Sequence, residues 1–401
     1  MNNLNAIKLG RARNNFRTTQ KDGTMDRRIC YIGNAASIHT QRWINYFAGR
    51  GWHVSLITWH MPNENNIINK NIRIYRVFFP PHYIFRYGCL LEIALMLKNI
   101  KPDILHAHYL GHFGIIAGLY GKIFRFKPIV LSAWGSDILY DAKGFKKILI
   151  KLSMEIADLI TCDGINSKEA MVKLGMSPSK IRIIYHGVDT DLFSPDKRDR
   201  KLIGDLFGNE DFPAVVCARA LNSRGGIETF IKSIPIILSE FPDTKFLIIG
   251  DGVDKKRLMK LARFMGLCNS LKFLGYISHE DLPRFLASSD IYVSPSLLDG
   301  GVAVATLDAM SCSVAPIVTD VGDNKMWIKD AKNGFVVDIN RPDLIADRVI
   351  CLLKNGKMRD NFGSACRCAI IEKQDYYKNM EVMENLYLEL MESGKLPIYF
   401  E

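Results

Sequence analysis

The chain has 401 residues, 48% hydrophobic and 24% charged, the balance of a globular protein long enough for two cored domains. Its 53 Lys and Arg against 42 Asp and Glu give a formal charge of +11, which favours anions; with no nucleic-acid module visible, the candidate partners are phosphorylated small molecules and anionic lipid. No apolar run reaches the roughly 18 residues of a membrane span, and the nine cysteines include no CxxC pair, so buried reduced thiols are expected in place of a zinc clamp.

The first 24 residues are polar and basic (Lys8, Arg11, Arg13, Arg17, Lys21) and lack the apolar centre of a signal peptide. They are expected to be a disordered tail, or the product of a start placed too early, since Met25 stands just before the first strand-like run. From there short apolar runs alternate with helical patterns, which argues for parallel α/β units. Strands are expected near 29–32, 54–59, 72–77, 104–107, 129–133, 159–162 and 181–185. Helical patterns lie over 40–50, 89–100, 112–124 and 145–157. The apolar stretch 87–97 is interrupted by Glu92 and stops at Lys98, so it reads as a buried helix.

The charge-rich stretch Ser194-Pro-Asp-Lys-Arg-Asp-Arg-Lys201 reads as an interdomain linker. Strand patterns restart at 214–218, 245–249, 271–274, 291–294, 315–319 and 335–338, and helical patterns over 342–372 and 376–393 close the chain. The expected fold is α/β: two doubly wound Rossmann-like domains facing a central cleft. The first domain is placed over 25–193, the linker over 194–211, and the second domain over 212–372. A closing helical segment over 373–401 could pack back on the first domain. Ligands of such sheets bind outside the carboxyl ends of the strands.

The most informative segment is Ser294-Pro-Ser-Leu-Leu-Asp-Gly-Gly-Val-Ala-Val-Ala-Thr-Leu-Asp-Ala-Met310. It reads as the end of a buried strand, a turn at Gly300-Gly301, and a helix. Such a turn offers free N–H groups and the positive end of a helix dipole, and phosphate is the usual guest. Asp299 and Asp308 flank it with hydroxyl-accepting groups, which suits a sugar nucleotide better than bare phosphate. Arg219 and Arg224 follow the first strand of the second half, with Gly225-Gly226 opening a helix. Two guanidinium forks there could hold a diphosphate and absorb the charge that grows as it leaves.

Other motifs are weaker singly. Gly250-Asp-Gly252 ends a strand, but Lys255 stands where a dinucleotide fingerprint needs glycine, so a tight turn is the ordinary reading. Gly33 leads a turn into a helix, close enough to backbone for a phosphate or sugar. His106 and His108 share one face of a strand and could bond a sugar hydroxyl or move a proton, or serve the core. With His112 they suggest zinc only weakly, because no acid or cysteine cluster is near. Trp134-Gly-Ser-Asp137 adds a turn with a carboxylate. Asp189-Thr-Asp191 resembles a metal-binding pair, but it lacks a third acid and reads as a turn at the domain junction.

In order, these motifs resemble glycosyltransferase family 4, retaining enzymes of the GT-B fold. The resemblance runs from about residue 27 to 355. It rests on Gly33, Asp103-x-x-His-x-His108, Trp134-Gly-Ser-Asp137, His186-Gly-Val-Asp189 with Phe193-x-Pro195, and Arg219 with Arg224-Gly225. It continues through Gly250-Asp-Gly252, Phe273-Leu-Gly275, Ser289-Asp-Ile-Tyr-Val-Ser-Pro-Ser296, Asp308-Ala-Met and Asn333-Gly334. It implies a nucleotide-diphosphate sugar bound mainly by the second domain. Arg219 and Arg224 would hold the diphosphate, Arg224 standing where lysine is common. Asp308 would meet the ribose, the backbone after Gly275 would lie near the base, and Gly250 would belong to the donor side. Gly300 and Gly301 would donate to phosphate. Gly33, His108 and Asp137 would line the first-domain side, with His108 in a catalytic role.

Three departures follow from the same alignment of motifs. The family carries two glutamates with seven residues between them, whereas Asp299 and Asp308 have eight between them, so the strict partner of Asp308 is Gly300. Trp134 stands where the family has a histidine, so a catalytic role there is lost. Aspartate is one methylene shorter than glutamate, so donor contacts must shift by about 1.5 Å or pass through water. The resemblance implies a hydroxyl acceptor that is a glycan, a lipid-linked sugar or a small molecule, and no nucleic acid. If two guanidiniums supply the electrostatics, neither a metal nor another cofactor is required. A cytoplasmic location is expected. Phe78-Phe-Pro-Pro-His-Tyr-Ile-Phe-Arg86 and Lys122-Ile-Phe-Arg-Phe-Lys127 mix aromatics with cations as interfacial segments do, so peripheral membrane contact is expected. The alternatives are a sugar-nucleotide epimerase or phosphorylase of this architecture, and a non-catalytic sugar-nucleotide-binding subunit.

Overall fold

The computed structural model describes residues 27–62, 68–78, 89–299 and 301–393. The expected tail over 1–24, Gly300, and 79–86 of the aromatic segment lie outside the described residues.

Among the described residues thirteen strands form two parallel sheets. The first holds β1 (Arg28–Ile32), β2 (His53–Thr58), β3 (Arg73–Arg76), β4 (Ile104–His108), β5 (Ile129–Ala133), β6 (Leu159–Cys162) and β7 (Ile181–Ile183). The second holds β8 (Ala214–Ala218), β9 (Lys245–Ile249), β10 (Leu271–Gly275), β11 (Ile291–Ser294), β12 (Ala315–Thr319) and β13 (Phe335–Val337). Each expected strand is present within two residues of its expected ends. The reason is that parallel strands covered by helices on both faces are apolar on both faces, so they stand out as unbroken runs such as Ile129-Val-Leu131.

The sheet orders are β3-β2-β1-β4-β5-β6-β7 and β10-β9-β8-β11-β12-β13. In each sheet the chain runs outward from the first strand and then returns to its other side. β1 pairs with β2 through Ile29↔Val54 and with β4 through Ile29↔Ile104. β8 pairs with β9 and β11 in the same way. A crevice opens at each such reversal, outside the carboxyl ends of the strands. Gly33 and His108 flank the first crevice; Arg219 and the Asp299 loop flank the second.

Apolar clusters cover both faces of each sheet. One of them joins the closing helix, Tyr376–Ser393, to the first domain: Met380, Met383 and Tyr387 pack with Tyr31, Phe47 and Trp52. Glu384 accepts from Trp52 Nε1 and Arg50 Nε, each at 3.0 Å. The chain thus crosses between domains twice, and the crossings run side by side. Val188 N donates to Gln374 O at 2.7 Å, and Tyr376 N donates to Val188 O at 2.9 Å.

The stretch read as the interdomain linker has secondary structure of its own. Residues 195–197 form a 3-10 turn, and Lys201–Phe207 is a helix with Leu202 and Ile203 buried against the second domain. Arg200 fastens it through Phe212 O at 2.6 Å, Ser288 O at 2.9 Å and Asp290. Arg200 thus satisfies carbonyls and a carboxylate at the amino ends of the central strands β8 and β11. The nine cysteines are unpaired and most are buried.

Candidate active site

A cleft of about 370 Å³ lies between the domains, lined from the first by His39, Tyr109, Trp134, Ser136, Tyr140, Asp163 and His186. From the second come Arg219, Arg224, Gly225, Asp299, Gly301, Val302 and Val304. Each of these stretches leaves the carboxyl end of a strand, so the two sheet orders and the facing of the two domains bring them together.

The basic wall is built by two interlocked loops. The Arg219 loop leaves β8 and is braced by the Gly250 turn: Arg219 N donates to Ile249 O at 2.9 Å and Leu221 N to Asp251 O at 3.0 Å. Gly250 is a glycine of necessity, since a Cβ there would stand 2.1 Å from Arg219 O at φ +132°. Gly250 N in turn donates to Gly275 O at 2.7 Å. Gly250 and Gly275 therefore shape the loop beneath Arg219. Leu297 N donates to Arg224 O at 2.8 Å and ties the second loop to the first.

Within that wall Arg219 Nη2 lies 2.6 Å from Asp299 Oδ1, both side chains largely buried. Among the described residues Arg219 Nε and Asp299 Oδ2 have no hydrogen-bond partner. Arg224 reaches across the cleft, with its guanidinium 5.7 Å from the centre of the Tyr140 ring, and Tyr140 OH donates to Asp299 O at 3.3 Å. The helix expected after the Gly300-Gly301 turn begins at Val304 (Val304–Ser311), and its N-cap, Ala303, has no side-chain cap. The first intrahelical bonds come from Thr306 N and Leu307 N to Ala303 O. The Val304 and Ala305 amides precede them, at the positive helix end.

Asp308 lies one turn inside this helix. It is 3% exposed, and among the described residues its Oδ1 has no partner. Burial pushes its carboxyl up to about 7, with the Arg42 charge from the first domain pulling the other way.

The first-domain wall departs from expectation. His108 does not reach the cleft. It is fully buried at the end of β4, packed under Trp134 (ring centroids 5.1 Å apart) and against Trp43 and Tyr31, with Nδ1 3.3 Å from Thr40 Oγ1. Burial, with His106 and His39 nearby, holds it well below the ordinary imidazole range. His106 shares its face of β4 as expected, but that face looks into the core, where it bonds Ser132 Oγ at 2.7 Å and Tyr387. Gly33 is buried beside them; a Cβ there would stand 3.3 Å from His108 Cβ. Asp137 is also a structural group: Leu110 N donates to its Oδ2 at 2.7 Å and Trp134 N to its Oδ1 at 3.0 Å. Both of its oxygens are spent on holding two cleft loops together.

The imidazoles that do line the cleft are His39 and His186, stacked with centroids 4.1 Å apart and both edge-on to Trp134. His186 Nε2 lies 3.7 Å from Asp163 Oδ2. Burial, then the His39 and Arg42 charges, holds His186 well below its ordinary range, and burial lowers His39 to about 4. Both rings are therefore neutral at neutral pH, able to donate at one nitrogen and accept at the other. Burial raises Asp163 to about 6, and Asp323 adds to the rise. In sequence, His186 was visible within His-Gly-Val-Asp; His39 and Asp163 gave no signal beyond following strands. The Asp189-Thr-Asp191 pair is a turn, as expected: Asp189 Oδ1 accepts from Asp191 N and Leu192 N. Among the described residues no group of three His, Cys, Asp or Glu is placed to hold a metal ion.

Both domains match family models. That for glycosyl transferase 4-like proteins matches residues 28–164, and that for glycosyl transferases group 1 matches residues 199–367. N-acetyl-alpha-D-glucosaminyl L-malate synthase of Bacillus anthracis is 25% identical over 381 residues, 91% of this chain and 97% of that one. The UDP-Gal:alpha-D-GlcNAc-diphosphoundecaprenol alpha-1,3-galactosyltransferase of Escherichia coli is 24% identical over 316 residues, 75% of this chain and 79% of that one. The fold is that of the Anabaena protein HepE, solved with UDP and glucose (TM-score 0.76, 15% identity, 90% of this chain and 98% of that one). It is also that of a glycosyltransferase from Rickettsia africae (TM-score 0.77, 15% identity, 92% of this chain and 100% of that one). The chain belongs to the group 1 glycosyl transferases of family 4, and it is a glycosyltransferase of the GT-B fold.

Proposed function

We propose that the chain is a retaining transferase that moves a sugar from a nucleotide-diphosphate sugar to a hydroxyl acceptor in glycan, polysaccharide or glycolipid synthesis. The observation that carries this reading is the facing of Arg219, Arg224 and the Val304 helix start, on one wall, with neutral imidazoles on the other. The diphosphate sits against the guanidiniums and the helix amides. Asp308 accepts from the ribose hydroxyls, which supply the partner its Oδ1 needs. The bond from the sugar's anomeric carbon to the leaving phosphate oxygen breaks as the acceptor oxygen bonds to that carbon on the same face. The leaving oxygen takes the acceptor's proton. Charge on the diphosphate is absorbed by Arg219 and Arg224, so the mechanism requires no metal. Both family models are of glycosyl transferases and the Escherichia coli relative is named a galactosyltransferase, which favours transfer over the epimerase, phosphorylase and non-catalytic alternatives. A thermal-shift screen across UDP, GDP and their sugar conjugates tests the reading; a chain stabilised by none of them would overturn it.

A seat on an anionic bilayer accompanies this reading, in keeping with relatives whose names include lipid-linked acceptors. The helix Gly144–Ile156 buries Ile150 and Met154 but exposes Phe145, Ile148 and Leu152, three residues on its opposite side. Phe145 is 71% exposed. The helix Ile115–Phe124 exposes Ile123 and Phe124, and Cys89–Ile100 exposes Leu91 and Leu95. All three pack their inner faces into one cluster on the first sheet, so these stripes face away from it together. Exposed Lys122, Arg125, Lys143, Lys147 and Lys151 lie among them, and this charge selects an anionic surface. Among the described residues no helix is long and apolar enough to cross a membrane.

A further inference from the structure

The helix Ile165–Lys173 follows β6 in the first domain. Its N-cap position is Gly164, extended at φ −171° and ψ 165°, with no side chain to bond the free N–H groups of the first turn. Ser, Thr, Asp or Asn ordinarily stands there. The cap comes instead from the other domain: Asp323 Oδ2 accepts from Ile165 N at 3.1 Å, and the same carboxylate takes the Asn166 N–H. Asp323 is 5% exposed. The absent side chain at 164 is what admits it, since a Cβ there would stand 2.2 Å from Asp323 Oδ2.

The backbone of the same turn grips the opposite wall of the cleft. Asp323 N donates to Gly301 O at 3.0 Å. A Cβ on the preceding Gly322 (φ +55°) would stand 2.1 Å from Gly301 O and 3.1 Å from Asp299 O. One turn therefore holds the loop that carries Asp299 and Gly301 by its main chain, and the first domain by its side chain. A carboxylate on helix N–H groups is a charge-assisted contact reinforced by the dipole. It forms only when the domains approach, because donor and acceptor belong to different domains.

We infer that Asp323 is a cross-domain positioning residue for sugar transfer: by capping the first-domain helix Ile165–Lys173 it locks the closed cleft and the main chain at Asp299 and at Gly301 into one state. The inference rests on the reading of that loop as part of the donor site, but the latch can be measured without any donor.

The experiment compares wild type, Asp323→Ala, and the double variant Asp323→Ala with Gly164→Ser. The serine gives the helix a cap of its own, in space the missing carboxylate has vacated. Hydrogen exchange is read at the amides of 301–304 and 165–167, together with the melting temperature and UDP and GDP affinity. Asp323→Ala is expected to lower the melting temperature, to speed exchange at both segments, and to weaken the nucleotide that wild type binds by about tenfold, as for one lost charge-assisted contact. Gly164→Ser is expected to restore protection at 165–167 and the melting temperature, while 301–304 stays fast and the nucleotide stays weak. Recovery of 301–304 along with the helix would reduce Asp323 to a local cap and overturn the inference, as would unchanged exchange in Asp323→Ala. If wild type binds neither nucleotide, the donor reading fails, and exchange at 301–304 still decides the latch.

Discussion

Arg219 Nη2 and Asp299 Oδ1 stand 2.6 Å apart, 80 residues distant in sequence, in a cleft otherwise open to a ligand. In the free enzyme the carboxylate holds the guanidinium fork in place. A diphosphate must share that fork or take it over. The pair is thus both a positioning device for Arg219 and a competitor of the donor's phosphates. Replacing Arg219 by Ala removes the charge that stabilises the leaving group and strands Asp299. Turnover is expected to fall about 10²–10³-fold, as for loss of one oxyanion donor. Arg219→Ala together with Arg224→Ala should abolish transfer, and intact activity in the double variant would refute the mechanism. Asp299→Asn, which keeps the shape and drops the charge, should tighten UDP or GDP in calorimetry while lowering turnover.

His108 and His186 separate structural from reactive imidazoles. His108→Ala opens a cavity under Trp134 and is expected to cost about 2–4 kcal/mol in urea unfolding. Its kcat, measured well below the melting temperature, should change little. His186→Ala removes a neutral donor and acceptor from the cleft, and kcat/KM should fall about tenfold or more. The reverse pattern would return the role to His108.

Asp308 makes stability depend on pH in a direction opposite to most carboxylates. Its pKa lies near 7 in the folded protein against an ordinary 3.8. A folded pKa above the unfolded one favours folding fully below the unfolded value, and that contribution is lost as pH rises through the folded value. Between about pH 4 and pH 7 wild type should therefore lose stability relative to Asp308→Asn. At pH 8 the variant should be the more stable by on the order of 1–3 kcal/mol, from the free energy of a pKa unit and a discount for relaxation. The same variant should bind nucleotide more weakly, having lost a charged acceptor for the ribose. Denaturation curves at three pH values and one titration check both halves.

Flotation with vesicles tests the apolar stripe of Gly144–Ile156. Wild type should float at low salt with phosphatidylglycerol vesicles and not with phosphatidylcholine alone. Changing Phe145, Ile148 and Leu152 together to Glu should release it without lowering the melting temperature, because all three side chains face water. Raising salt should weaken binding as lysine–headgroup attraction is screened. No flotation of wild type at low salt would dismiss the bilayer as partner.

The strands, their doubly wound grouping and the turn ahead of the helix Val304–Ser311 were legible in the sequence. Each depends on neighbours along the chain: a buried strand shows as an apolar run, and a glycine turn ahead of a helix shows as such. The helical return after 373 was legible too, although its seat against Tyr31 and Trp52 was not.

The identity of the cleft's first-domain wall was decided by the tertiary structure alone. Trp134 turns its ring over His108 and shuts that side chain into the core, while His39, Asp163 and His186 arrive from the ends of β1, β6 and β7. Asp323 meets Gly164 only because the two domains face one another. Local periodicity determines which residues form strands and turns, since those interactions span a few residues. Which turns become neighbours depends on sheet order and domain closure, set by contacts such as Arg219 with Asp299, 80 residues apart, and Asp323 with Ile165, 158 apart, that no local pattern carries.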